Sequence, residues 1–110
     1  MIEVIILDYL NEVLNVPAFM ESPEKPLNRY VLIEKTGGSS ENYIYRAIVT
    51  LKSYAESLAE AAKLNEKVKE AMNNIIILDS IAKSKYNTDY NFTNTEKKEY
   101  RYQAVYEVFY

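Results

Sequence analysis

The feature that most limits what this chain can fold into is a change of hydrophobic period within one stretch, "RYVLIEKTGGSSENYIYRAIVTLKSYAESLAEAA", Arg29 to Ala62. Its first part is rich in β-formers. Tyr43, Tyr45, Ala47, Val49 and Leu51 alternate with Ile44, Arg46, Ile48, Thr50 and Lys52, and a period of two places successive side chains on opposite faces of a strand. Gly37-Gly38 followed by Ser39-Ser40 supplies turn chemistry, so the stretch predicts a hairpin with strands over 29–35 and 43–54 and a tip at Gly37 to Asn42. The face carrying Tyr43, Tyr45, Ala47, Val49 and Leu51 belongs to the core. From Ser57 the period becomes helical: Leu58, Ala61, Leu64, Val68, Ala71 and Met72 form one stripe. Ser57 and Glu60 stand at capping-box spacing, which starts a helix over 57–73. Its other side, Glu60, Lys63, Glu66, Lys67 and Glu70, is a solvated charged face.

The flanking segments extend this pattern. Ile2, Ile5, Ile6, Tyr9, Leu10, Val13 and Leu14 recur at three- and four-residue spacing and predict a helix over 2–14, stopped by Pro17. "VPAFM" follows as a short extended piece, and the prolines of "ESPEKP" make an exposed connection. Asn73-Asn74 ends the second helix. The unbroken apolar start of "IIILDSIAK" predicts a strand over 75–82 buried on both faces. Ser84 to Lys98 is polar and reads as a long loop or loose hairpin arm. In "EYRYQAVYEVFY", Tyr100, Tyr102, Ala104, Tyr106, Val108 and Tyr110 alternate with Glu99, Arg101, Gln103, Val105, Glu107 and Phe109, which predicts a strand over 99–109. The whole is a single α+β domain, residues 1–110.

Composition narrows function by exclusion. A formal net charge of −3, with 13 Lys and Arg dispersed along the chain, gives no general field to gather nucleic acid. There is no histidine and no cysteine, which rules out imidazole and thiolate metal sites, Ser-His and Cys-His nucleophile pairs, and a disulfide framework. The acidic residues sit singly, with no calcium-loop spacing and no spaced carboxylate pair. No phosphate-loop motif is present: Gly37-Gly38 lead into a strand, not a helix. These features predict no enzyme activity, no catalytic residue, no metal and no cofactor. No apolar run reaches the 18 or so residues of a spanning helix, and "MIEVIILDYL" lacks the basic flank of a signal peptide, so no membrane partner is expected. The 11 tyrosines, most of them in strand-like runs, suit both sheet formation and contact surfaces.

The order of these pieces resembles that of the small tail-completion proteins of long-tailed bacteriophages, the tail-terminator or tail-to-head joining family. The resemblance is carried by the helix ending before "VPAFM", the "ESPEKP" spacer, "RYVLIEKTGG", the strand-to-helix passage "YAESLAEAAKL" and the closing "EYRYQAVYEV". It implies a mainly antiparallel sheet with two helices packed on one side. It also implies assembly into a ring, commonly of six subunits, that sits on the tail tube, stops its growth and meets the head connector. The implied location is the tail or neck of the virion, with host cytoplasm during assembly. The implied partners are further copies of the chain, the tail-tube protein and a connector or neck protein, with no specific nucleic acid. Residues expected at such contacts are Gly37, Gly38, Ser39 and Ser40 at the hairpin tip, Arg46, Arg101 and Glu107 on strand faces, and Tyr86, Tyr90 and Phe92 in the polar stretch. Two other roles fit the same composition: another neck or head-completion component, and a cytoplasmic adaptor that binds a peptide at a sheet edge.

Overall fold

A computed structural model describes residues 1–25 and 27–110; the second proline of the "ESPEKP" spacer, Pro26, lies outside the described residues. The elements are α1 (Ile2–Val13), β1 (Ala18–Phe19), β2 (Tyr30–Glu41), β3 (Ile44–Ala55), α2 (Leu58–Asn73), a 3-10 turn (Ile75–Ile77), β4 (Lys83–Asn91) and β5 (Tyr100–Phe109). The five strands form one sheet in the order β1-β2-β3-β5-β4, in which β1 runs parallel to β2 and every other pair is antiparallel. This is the α+β architecture expected from the pattern.

Both helices cover one face of the sheet. The alternation predicted for β3 and β5 puts Ala47, Val49, Leu51, Ala104, Tyr106 and Val108 on that face, all buried, with Val31 and Ile33 of β2 beside them. Ile2, Ile6, Tyr9 and Leu10 of α1 and Ala61, Leu64, Val68, Ala71 and Met72 of α2 complete the core. Two core tyrosines keep their hydroxyls paired, as buried tyrosines generally must. Tyr9 donates to the Ala71 carbonyl at 2.8 Å and so fastens α1 to α2, while Tyr106 donates toward the Lys69 carbonyl and Asn73 Oδ1.

The local signals explain the helix ends. Ser57 caps α2, its hydroxyl accepting from the Glu60 N–H at 3.2 Å. Glu60 completes no reciprocal bond but pairs with Arg29 and Lys63. At the end of α1, Asn11 donates to the Ala18 carbonyl and accepts from the Ala18 N–H. One side chain thereby satisfies the outer backbone groups of β1, an effective way to blunt an edge strand.

Three expectations are corrected. First, Gly37 to Ser40 do not make the hairpin turn: they lie in β2 and pair with Ile48, Ala47, Arg46 and Tyr45. Neither glycine has positive φ; they follow a β-bulge between Lys35 and Gly37, a common setting for strand glycine. A Cβ at Gly37 would come within 3.2 Å of the Ile48 side chain, so the missing side chain there is what lets Ile48 lie against the strand. The true turn is Asn42-Tyr43, with φ of 51° and 65° and Glu41 paired with Ile44. Positive φ at both central residues is the two-residue turn whose twist matches that of the strands.

Second, 75–82 is not a strand. Ile75 is buried, but Ile76 and Ile77 are 57% and 78% exposed in a 3-10 turn that carries the chain from α2 to β4. A four-residue apolar run, Ile75 to Leu78, does not by itself separate a buried strand from the last turn of a helical segment. Third, much of Ser84 to Lys98 is a regular strand: β4 pairs with β5 from Lys83↔Phe109 to Asn91↔Tyr102, with a bulge between Tyr86 and Thr88. An edge strand with little to bury can be polar on both faces, so its composition resembles that of a loop.

Candidate interaction surface

The face of the sheet away from the helices is covered by no other element among the described residues. Strand alternation brings to it Tyr30, Leu32 and Ser39 of β2; Arg46, Ile48, Lys52 and Tyr54 of β3; Arg101, Val105, Glu107 and Phe109 of β5; and Lys83, Lys85 and Tyr90 of β4. Across one end of this face the rings stand in a row. Phe19 meets Tyr30 edge-on at 6.3 Å, Tyr30 stacks on Tyr54 at 4.6 Å, and the Arg101 guanidinium lies 5.6 Å from the Tyr54 ring and 4.7 Å from Phe92. Phe92 in turn meets Tyr90 edge-on at 6.0 Å. Arg101 also donates to the Phe92 carbonyl and the Tyr54 hydroxyl, and Gln103 donates to the Tyr90 hydroxyl. The row spans all five strands, each member in contact with the next.

Nearer the hairpin tip, Arg46 and Glu107 pair at 3.1 Å, and that guanidinium holds the Glu107 carboxyl below its ordinary range. Of the expected contact residues, the fold therefore brings Tyr90, Phe92 and Arg101 into one cluster, and Arg46 and Glu107, with Ser39 in register beside Arg46, into another. Two of the three charges expected to meet a neighbouring subunit, Arg46 and Glu107, satisfy each other within the chain, and the third, Arg101, pairs with Glu99.

Tyr86 is on the other face. Its hydroxyl donates to Asp89, which also accepts from Lys69 at 3.1 Å and Asn65 at 2.8 Å. The Tyr86 bond, then those from Lys69 and Asn65, hold the Asp89 carboxyl below its usual range, while Lys69 is raised, first by Glu66 and then by Asp89. Neighbouring Tyr106 is pushed up to about 12 by burial. The network joins β4 to α2 and is a fastening: both Asp89 oxygens are taken up within it, while the buried Asn65 Oδ1 has no partner among the described residues. Asn65, almost fully buried on the apolar stripe of α2, is the member that helical periodicity passes over.

The hairpin tip is the most exposed apolar feature. Tyr43 is 97% exposed, with Ile44 and Tyr45 each about half exposed beside it. Tyr45 stacks on Tyr110 at 5.6 Å, and these two residues exchange both backbone hydrogen bonds. The alternation assigns Tyr43 and Tyr45 to the core face, and the structure corrects this: Tyr43 is in the turn and Tyr45 next to it at the end of the hairpin arm, so neither is buried. Likewise Phe19, Tyr30 and Tyr54 join the aromatic row through register, which spacing within a single strand does not reveal.

Among the described residues no group of three or more acidic side chains is placed to hold a metal ion. No described helix is long and apolar enough to cross a membrane. No protein-family model matches the chain, and no curated protein matches it.

Proposed function

We propose that this chain is a non-catalytic structural subunit of a phage or prophage tail. In this reading it forms a ring on the end of the tail tube, stops tube growth and joins the tail to the head connector. The observation that carries the reading is the division of the fold: both helices lie on one face, and the other, covered by no element among the described residues, carries aromatic and charged groups across all five strands, with Tyr54 itself buried among its neighbours. A chain whose side chains are arranged this way works through wide contacts, not through a pocket. The order of elements, α1, a short strand, the long β2–β3 hairpin, α2 and a closing strand pair, also fits the tail-completion resemblance. Its site of action is then the virion neck, with host cytoplasm during assembly.

The test is to incubate the protein with assembled tail tubes, locate it by electron microscopy, and follow its mass by light scattering. A ring at one tube end supports the reading. Protein that leaves the tubes bare and stays monomeric sinks it.

A second reading has one observation in its favour. β4 is a nine-residue strand at the end of the sheet order, and a strand edge of that length can accept a peptide by strand addition. Lys83 and Lys85 on β4 oppose this by making the edge costly to cover. An adaptor would bind a peptide and remain a monomer or dimer where the ring-former assembles.

A further inference from the structure

We infer that copies of this chain join edge to edge: the outer edge of β4 in one copy pairs antiparallel with the uncovered edge of β2 in the next, so that one sheet runs from subunit to subunit. The inference rests on the ring reading above, whose contact it names.

The two free edges match in length and direction. β1 pairs with β2 only at Val31 and Leu32, which leaves residues 33–41 of β2 with one edge open. β4, Lys83–Asn91, has the same length, nine residues, and ends the sheet on the other side. No backbone–backbone bond from a turn, loop or cap among the described residues reaches either stretch, and most of their side chains are exposed. Each pairing from β2 through β3 and β5 to β4 is antiparallel, so the two edge strands run in opposite directions. Continuing the sheet into a further copy therefore sets β4 antiparallel to β2.

Full overlap allows one register, Lys83↔Glu41 through Asn91↔Ile33, and three features agree with it. Each strand carries one bulge, between Lys35 and Gly37 and between Tyr86 and Thr88. In this register the bulges fall side by side, with Asn87 opposite Gly37 and Thr88 opposite Thr36, so both strands change phase together and opposed side chains share a face on either side of the bulges.

The backbone groups also point the right way. Tyr45 and Tyr110 exchange both bonds, so odd-numbered residues of β3 bond to β5 and even-numbered ones to β2. The Phe92 N–H donates to the Arg101 carbonyl, so odd-numbered residues of β5 bond to β4. Ser84, Tyr86, Asp89 and Asn91 of β4 are left facing outward, and the register sets them opposite Ser40, Gly38, Lys35 and Ile33, which face outward from β2. Each such pair exchanges two bonds.

The charges agree as well. Lys83 meets Glu41, Asp89 meets Lys35, and no like charges are opposed. Lys83, Glu41 and Lys35 have no ion-pair partner among the described residues. The lysine that makes this edge costly for a foreign strand thus finds an acid on its own kind. Gly37 and Gly38 let a neighbouring backbone approach closely. Two different edges make a heterologous contact, which closes into a ring or continues as a filament. Closure removes both long free edges and gathers the helices of every copy on one surface and the open faces on the other.

Because the chain has no cysteine, a disulfide can report the contact. Within one copy Ser39 and Lys85 are three strand spacings apart, about 14 Å, beyond disulfide reach; in the inferred register they are directly opposite. Ser39→Cys combined with Lys85→Cys is expected to give a ladder of covalent oligomers under mild oxidation. Each single variant should stop at dimer, and Glu34→Cys with Lys85→Cys, several residues out of register, should give no ladder. In unaltered protein, assembly should slow hydrogen exchange at Ser84, Tyr86, Asp89 and Asn91 by roughly tenfold or more, with Lys85 and Tyr90, already bonded to β5, little changed. Circular dichroism identical to the wild type shows that the variants fold; if one does not, exchange in the unaltered protein decides. No ladder from Ser39→Cys with Lys85→Cys, with or without tubes, or unchanged exchange along β4, overturns the inference. So does a β4 edge that takes up a peptide of unrelated sequence while copies stay apart. If the wild type still caps tubes in those cases, the tail-terminator reading stands without this contact. If the ladder and the protection appear but tubes stay bare, the edge contact stands and the terminator reading falls.

Discussion

Replacing Tyr43 with glycine should make the protein more stable while removing its most exposed aromatic ring. Tyr43 occupies the second central position of a two-residue turn at φ 65°, where a residue bearing a Cβ is unfavourable by roughly 1–2 kcal/mol and glycine is the preferred occupant. Glycine gives back part of that gain, about 0.5–1 kcal/mol, through the greater freedom of the unfolded chain. Packing loses nothing, because the side chain is 97% exposed. The balance is a stabilisation of about 0.5–1 kcal/mol, or a rise in Tm of roughly 2–5 °C for a domain of this size. Thermal unfolding followed by circular dichroism, on wild type and Tyr43→Gly at a concentration where both are monomeric, gives the difference. A lower Tm for the variant would refute the reasoning: either the turn lies elsewhere or the ring packs within the chain.

Other perturbations read other parts of the fold. Ser57→Ala removes the cap of α2 and should cost about 1 kcal/mol in urea unfolding. Asn11→Ala leaves the Ala18 N–H and carbonyl without their side-chain partner and should cost about 1–2 kcal/mol, with faster hydrogen exchange at Ala18. Asp89 has a lowered folded pKa, so its stabilisation is present above the ordinary carboxylate range and is lost as pH falls through the folded value; Asp89→Asn should be the less stable protein at pH 7, with the gap closing under acid. Tyr106 has its folded value raised to about 12, so its contribution is complete below the ordinary tyrosine value of about 10 and is lost as pH rises toward 12. Tyr9, Tyr30 and Tyr86 are raised as well, so an alkaline titration monitored by tyrosinate absorbance should show several late rings, with the latest missing in Tyr106→Phe.

The parts of this fold legible in sequence are those where burial imposes a period. The α2 stripe from Ala61 to Met72 and the alternation through Ala47, Val49, Leu51 and Ala104, Tyr106, Val108 are both read correctly, because a core face tolerates no slip of register. β4 was hidden by its polarity, since an edge strand such as "KSKYNTDYN" has few buried positions to display. Gly37-Gly38 suggested a turn because glycine serves turns and bulges alike, and the fold places them after a bulge. The candidate surface was legible in its residue types and not in its groupings. Arg101 could be put on the open face, but Phe19, Tyr30, Tyr54 and Phe92 reach it from four other segments, and only the strand order β1-β2-β3-β5-β4 lines them up. Tyr86 and Tyr90 part to opposite faces because the bulge before Thr88 changes the phase of β4.

The central claim is that this chain ends the growth of a tail tube, and tube length measures it most directly. Tube subunits of the same virus are allowed to polymerise, the purified protein is added in sub-stoichiometric amount, and lengths are measured by electron microscopy over time. The account predicts that growth halts soon after addition, with one ring of extra density at the growing end. Tubes that lengthen at the same rate with and without the protein, and end without added density, would contradict it.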